Sequence, residues 1–247
     1  MKMSKVALTT VAAAAMLGAI ASPGACNAAS SDSEYFQTYS NLQGEVVLDN
    51  ARVVVQRFVL QPGQASGTHT YHSDPLLVFI KGGLLTSKAT GRTTLWKDGR
   101  VAWQSTTDHP EGGSTNTGSS PVEWVSVTLK PVAHPAMAGA SPKYQYLNYP
   151  NIPGEDLLED DRVIVQRFLV KPGQWEGVHA HHPDMLYIHI KGGQWASRSK
   201  SQAEKPYPQP SPDGEVGWMQ TIPLSEGHES GNIGTSSIDL VWVTLKQ

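Results

Sequence analysis

His179 and His181 are separated by one residue, and His228 opens the stretch His228-Glu229-Ser230-Gly231-Asn232. Imidazole nitrogens bind transition metals at about 2.0 to 2.1 Å, and histidines at i and i+2 of an extended chain share one face about 7 Å apart along it. Such a pair can close on one ion, while His182 points to the opposite face. A third ligand must come from elsewhere in the chain. His228 is the candidate, because Pro223 and Gly227 bracket a turn that brings a later strand back beside the first. Three neutral imidazoles leave coordination positions open to water, oxygen or substrate, and the ion keeps its full positive charge. That charge favours an anionic or enolisable ligand. Single histidines in strand-rich proteins mostly hydrogen-bond or sit on the surface, a reading that three histidines in two separated motifs outweigh.

The elements that would hold these residues occur twice. RVVVQRFVLQPGQASGTHTYHSDPLLVFIKGG from Arg52 recurs as RVIVQRFLVKPGQWEGVHAHHPDMLYIHIKGG from Arg162, without a gap, and the closing SSPVEWVSVTLK recurs as SSIDLVWVTLK. Whole domains were therefore duplicated. Both copies keep Gln56/Gln166, Arg57/Arg167, Pro62-Gly63/Pro172-Gly173 and the Lys-Gly-Gly at 81–83 and 191–193. The second copy alone carries His181 and His228. The first has His69 at the first ligand position, but Tyr71 and Gly112 at the other two and Pro75 opposite Met185, so it is a poor metal site unless His69, His72 and His109 assemble an irregular one. Its expected role is scaffold.

Gly173-x5-His179-x-His181, with Gly192 closing the motif and His228-x3-Asn232 as a second motif after a Pro/Gly turn, resembles the cupin superfamily. Because both repeats are covered, the chain resembles a bicupin. The resemblance implies jelly-roll β-barrels, one divalent transition metal ion (Fe, Cu, Zn, Mn or Ni) and a small-molecule substrate. The usual glutamate ligand is replaced by Met185. Its neighbour Asp184 should face outward unless a bulge turns it in, so a three-histidine centre of His179, His181 and His228 is expected. Tyr187 and His189 share the face of Met185 and are candidate pocket-lining catalytic residues, with core packing an equal alternative for His189. Among cupin activities the three-histidine set leans toward an oxidoreductase of dioxygenase type. A non-catalytic small-molecule or sugar-binding bicupin, a metal-dependent isomerase or lyase, and a structural or storage bicupin are the alternatives.

The elements themselves read as strands. Runs such as Val53 to Leu60 and Leu76 to Ile80 are bounded by Pro-Gly, Gly-Gly and Asp-Gly pairs, and no stretch after the leader keeps a 3.6-residue apolar period. The expected fold is all-β: two tandem cupin-type jelly-roll barrels after a signal peptide. The second copy lengthens the segment between Gly-Gly and Asp-Gly to Gln194–Pro212, with a polar, Pro-rich insertion expected as a rim loop, covering the pocket or merely tolerated. Trp175, Trp195 and Trp218 are expected as core or rim aromatics.

Residues 1–29 read as a secretory signal, with Lys2 and Lys5 before an apolar run and a small-residue cleavage zone. The only cysteine, Cys26, lies inside it, so the mature chain has neither thiol nor disulfide; lipidation of Cys26 is disfavoured because no large aliphatic residue precedes it closely. The expected location is secreted or periplasmic, with no membrane association after cleavage. At 247 residues and a net charge of -3 the chain has room for two domains and nothing that suggests nucleic acid. The expected layout is an exposed arm at 30–43, a first domain at 44–131, a linker at 132–150 and a second domain at 151–247. The assembly is expected to be a monomeric bicupin or a homodimer.

Overall fold

The computed structural model describes residues 33–70, 73–105, 113–131 and 146–246. The expected signal segment, Cys26, Tyr71, His72, His109, Gly112 and most of the linker lie outside them. The first repeat supplies β1 (Thr38–Tyr39), β2 (Glu45–Asp49), β3 (Val53–Leu60), β4 (His69–Thr70), β5 (Leu76–Lys81), β6 (Gly83–Ser87), β7 (Thr93–Trp96), β8 (Val101–Trp103), β9 (Ser114–Asn116) and β10 (Val122–Leu129). The second supplies β11 (Glu155–Glu159), β12 (Val163–Val170), β13 (Met185–Lys191), β14 (Trp195–Arg198), β15 (Lys205–Pro206), β16 (Val216–Met219), β17 (Glu229–Asn232) and β18 (Ile238–Leu245).

The strand order β2-β3-β10-β5-β8 in one large sheet is matched by β11-β12-β18-β13-β16 in the other, and the small sheets β7-β6-β9 and β15-β14-β17 complete the two units. All pairings are antiparallel. The fold is all-β, two tandem jelly-roll barrels, and no α-helix occurs among the described residues.

Strands β3, β5, β10, β12, β13 and β18 read as nearly continuous apolar runs because both of their faces are buried. Successive side chains alternate across a strand, so Val163 and Val165 point one way while Phe168 and Val170 point the other. The first set joins Val53, Val55, Val78, Leu186, Ile188 and Val241 in one apolar cluster that draws on both large sheets. The second set joins Met185, Trp195, Leu240 and Trp242 inside the second barrel. Thus Met185, Tyr187 and His189 face the barrel interior, while Leu186, Ile188 and Ile190 face the other barrel.

Polar contacts also cross this interface. The Arg162 guanidinium lies 3.6 Å from the Trp103 ring centroid, and Arg52 pairs with Asp184. Asp184 adopts a left-handed backbone (φ 60°), and its carboxylate pairs with Arg52 of the first barrel and lies outside the histidine triad.

Two expected boundaries do not coincide with the packing. Gln37, inside the expected exposed arm, is buried, and its backbone N–H donates to Gln56 Oε1 at 2.7 Å. Leu147 and Tyr149, inside the expected linker, are buried in the core of the second barrel. The reason is legible in hindsight: Tyr39-x-Asn41-Leu42-x-Gly44 and Tyr149-x-Asn151-Ile152-x-Gly154 show that the repeat begins upstream of residues 44 and 151.

Candidate metal centre

His179 and His181 lie in the extended segment between β12 and β13, which is held by isolated backbone contacts and not by a continuous ladder. The His179 N–H donates to the His228 carbonyl at 3.1 Å, and His181 exchanges backbone hydrogen bonds with Ile222 at 2.9 and 3.0 Å. The segment is aimed by the turn before it. Gly173 sits at φ 74°, which an L side chain rarely adopts, and the Gln174 N–H closes the turn on the Lys171 carbonyl at 3.0 Å. His228 follows the short 3-10 turn Leu224–Glu226, which ends on Gly227 at φ 61°. Asn232 does not point at the histidines: its side-chain amide donates to the Val170 and Ser236 carbonyls at 2.9 and 2.8 Å. Asn116 makes the same bracket in the first barrel, so this residue is a fixture of the fold.

The three candidate ligands converge. One ligand nitrogen from each of His179, His181 and His228 lies within 4.8 Å of the others. The His179 and His181 Nε2 atoms are 2.9 Å apart, close to the separation of about 3.0 Å that two nitrogens at metal-bonding distance have across a right angle. The Nδ1 of His179 lies 2.8 Å from the Gly177 carbonyl. That acceptor fixes the proton on Nδ1 and leaves the Nε2 lone pair free to bind. The Nδ1 of His181 is buried without a partner.

Burial removes the charge from these rings. It holds His179 down at about 4 and His181 down at about 2, with neighbouring imidazoles adding to the effect on His181, and it lowers His228 as well. All three are neutral at pH 7. A cluster of buried, neutral, mutually facing imidazole lone pairs fits a divalent transition ion.

A carboxylate that sequence reasoning missed lies beside them. Glu176 is 3% exposed, and its Oε2 is 3.8 Å from the His179 Nε2 and accepts the Ser230 N–H at 3.2 Å. Desolvation pushes its pKa up to about 8, opposed by hydrogen bonds from Tyr149 and Ser230. The available signal was the repeat itself, because the first copy has Ser66 at this position.

Both candidate pocket residues face the same cavity, of about 190 Å³, which is also lined by His181, His228, Glu176 and Glu215. The Trp195 indole N–H donates to His189 Nε2 at 3.2 Å, and His189 Nδ1 lies 3.2 Å from Glu215 Oε2. The tautomer protonated on Nδ1 lets Nε2 accept from Trp195 and places its N–H beside Glu215, outside hydrogen-bond geometry. This contact holds the Glu215 carboxyl below its ordinary range, while burial raises the Tyr187 phenol to about 12. Trp195 lies in the core at the cavity wall, whereas Trp175 carries the Arg198 guanidinium 4.0 Å above its ring. Trp218 packs on the cluster shared by the two barrels. His182 is half-buried and outside the triad.

The insertion is pinned to the barrel: β15 pairs with β14, and Ser211 bridges Gly193. Gly192 permits this approach, since a Cβ there would collide with the Ser211 carbonyl. Tyr207 of the insertion lines the cavity. In the first barrel, His69 is half-buried against Tyr39, Leu77 and Trp124 in a separate cavity. His72 and His109, which the irregular site would need, lie outside the described residues.

No family model and no curated protein matches the chain. Solved structures similar to it include a cupin 2 conserved barrel domain protein from Leptotrichia buccalis, 10% identical over 84% of this chain and 90% of that one, with a TM-score of 0.47. They also include YhaK from Escherichia coli (16% identity, 84% and 92% covered, TM-score 0.49) and a salicylate 1,2-dioxygenase from Pseudaminobacter salicylatoxidans (10%, 82% and 75%, TM-score 0.47). Likenesses this distant carry no argument about chemistry. The jelly-roll assignment stands on the strand order, and the case for a metal on the convergence of His179, His181 and His228.

Proposed function

We propose that the chain is an exported bicupin enzyme whose second barrel holds one divalent transition metal ion on His179, His181 and His228, and that it is an oxidoreductase of dioxygenase type acting on a small organic molecule. The observation that carries the reading is the convergence of three neutral imidazoles, from two separate segments, beside a cavity that His181 and His228 line. Export rests on the sequence of residues 1–29.

When bound, the ion would supply Lewis acidity and open coordination positions for oxygen or a substrate oxygen. The chain's own groups do the rest. The Gly177 carbonyl holds the His179 tautomer, Trp195 and Glu215 favour His189 with its proton on Nδ1, and Trp195, Trp242 and Tyr187 supply aromatic walls to the cavity. Glu176 supplies a carboxylate close to His179, and a cation nearby would favour its ionised form.

The test is metal content together with metal-dependent oxygen consumption on the purified full chain, using iron-, copper- and manganese-loaded protein and a panel of small phenols and enols. The expected result is turnover that His179→Ala abolishes. Stoichiometric metal without turnover of any panel member would sink the enzyme reading in favour of a binding module.

A further inference from the structure

We propose that the protein walls of the second-barrel cavity, apart from the metal ion, select a neutral, hydroxyl-bearing six-membered ring over an anion, an inference that rests on reading this cavity as the substrate site. The size sets the first limit. A cavity of about 190 Å³ accepts one ring, given that an apolar cavity of about 150 Å³ is enough for benzene. The walls set the second. Tyr149, Tyr187, Tyr207, Trp195 and Trp242 all contribute to the lining, offering faces on which a planar or saturated ring stacks.

Charge decides the class. Among the described residues no lysine or arginine lines the cavity, whereas the Glu215 carboxylate does. The nearby cations are already committed: Arg198 donates to Glu229 Oε1 at 2.7 Å, and Lys200 Nζ donates to the Ser225 carbonyl at 3.1 Å. A carboxylate or phosphate entering here leaves water without gaining a guanidinium or ammonium, and it meets Glu215, whose ionised form His189 stabilises. A hydroxyl group gains what the anion loses, because it can donate to the Glu215 carboxylate and exchange hydrogen bonds with Ser211 and Ser230. Selection of this kind works by repulsion of the wrong ligand as much as by attraction of the right one. The repeat supports the assignment. The first barrel has Arg100 opposite Glu215, Ser66 opposite Glu176 and Phe79 opposite His189, so these polar groups are specific to the barrel with the three histidines.

The test compares resorcinol, myo-inositol and benzoate, titrated calorimetrically into metal-free and zinc-loaded full-length protein and into metal-free Glu215→Gln. One neutral ring, aromatic or saturated, is expected to bind at least about tenfold tighter than benzoate in the metal-free wild type, with zinc narrowing the ratio because the ion itself attracts the anion, and the preferred ring identifies the source chemistry. Glu215→Gln should bring the ratio to within about threefold. Benzoate binding as tightly as both neutral rings, no measurable binding of either neutral ring, or an unchanged ratio in Glu215→Gln would overturn the proposal. Since the Glu215 carboxylate is present without metal, the metal-free wild type decides this proposal whether or not the variant folds. The zinc stoichiometry of the same samples decides the metal reading separately.

Discussion

Glu176 has the most to gain from an ion in the cavity. Burial raises it to about 8, so its contribution to the stability of the metal-free protein is fully present below its unfolded value near 4.5 and is lost as the pH rises through about 8. His179 runs the other way. Held down at about 4, it contributes stability that is present above about 6.5 and lost as the pH falls toward 4. The two effects oppose each other between about 4.5 and 6.5, which makes Glu176→Gln informative, since it removes only the alkaline loss. Metal-free Glu176→Gln should be more stable than the wild type at pH 8, by on the order of a few kcal/mol, and nearly equal to it at pH 4.5. Urea denaturation of both proteins at the two pH values measures this, and saturating zinc should shrink the gap at pH 8. A gap that is the same at both values would mean that Glu176 is not desolvated as its burial requires. His189 gives a second prediction at this scale. Trp195→Phe removes the only indole N–H that reaches His189 Nε2 and frees the other tautomer, so the imidazole NMR shifts of His189 should change while the far-UV spectrum does not.

Strand identity was legible because β-runs such as Val53–Leu60 and Leu76–Lys81 end on glycine or proline turns, and the inward direction of Tyr187 and His189 followed from alternation with Met185. The position of His228 beside His179 and His181 was legible as well, because the turn at Pro223 to Gly227 brings the chain back toward them. Glu176 was not, because no local rule marks a glutamate three residues before a histidine, and its burial depends on Tyr149 and Ser230, which arrive from distant segments. The apolar character of both faces of β12 and β13 was also opaque, since a run buried twice shows no period from which to infer what covers each face. Gly192 tests the element-scale account of the insertion. Gly192→Ala drives a methyl group into the Ser211 carbonyl and should destabilise the protein by about 1 to 3 kcal/mol, read as a lower denaturation midpoint with an unchanged m-value. Gly91→Ala, at a site with open space around it though with φ 67°, should cost less.

At the scale of the whole molecule, the two barrels share an apolar cluster that neither can bury alone. Thermal unfolding of the full chain should therefore show one cooperative transition. Val165→Asp, which buries a charge between the large sheets, should remove most of the stability, since an unpaired buried charge is among the costliest substitutions. Two separate transitions in the wild type would show that the barrels are independent. One ion per chain is expected, because among the described residues only the second barrel brings three candidate-ligand imidazoles together. The most direct test of that claim is the metal content of the full-length protein, equilibrated with zinc and dialysed, measured by mass spectrometry of the elements beside His69→Ala, His181→Ala and His228→Ala. One ion per chain in the wild type and in His69→Ala, with loss from both other variants, is the predicted result. No bound metal, or one ion that survives both His181→Ala and His228→Ala, would contradict it.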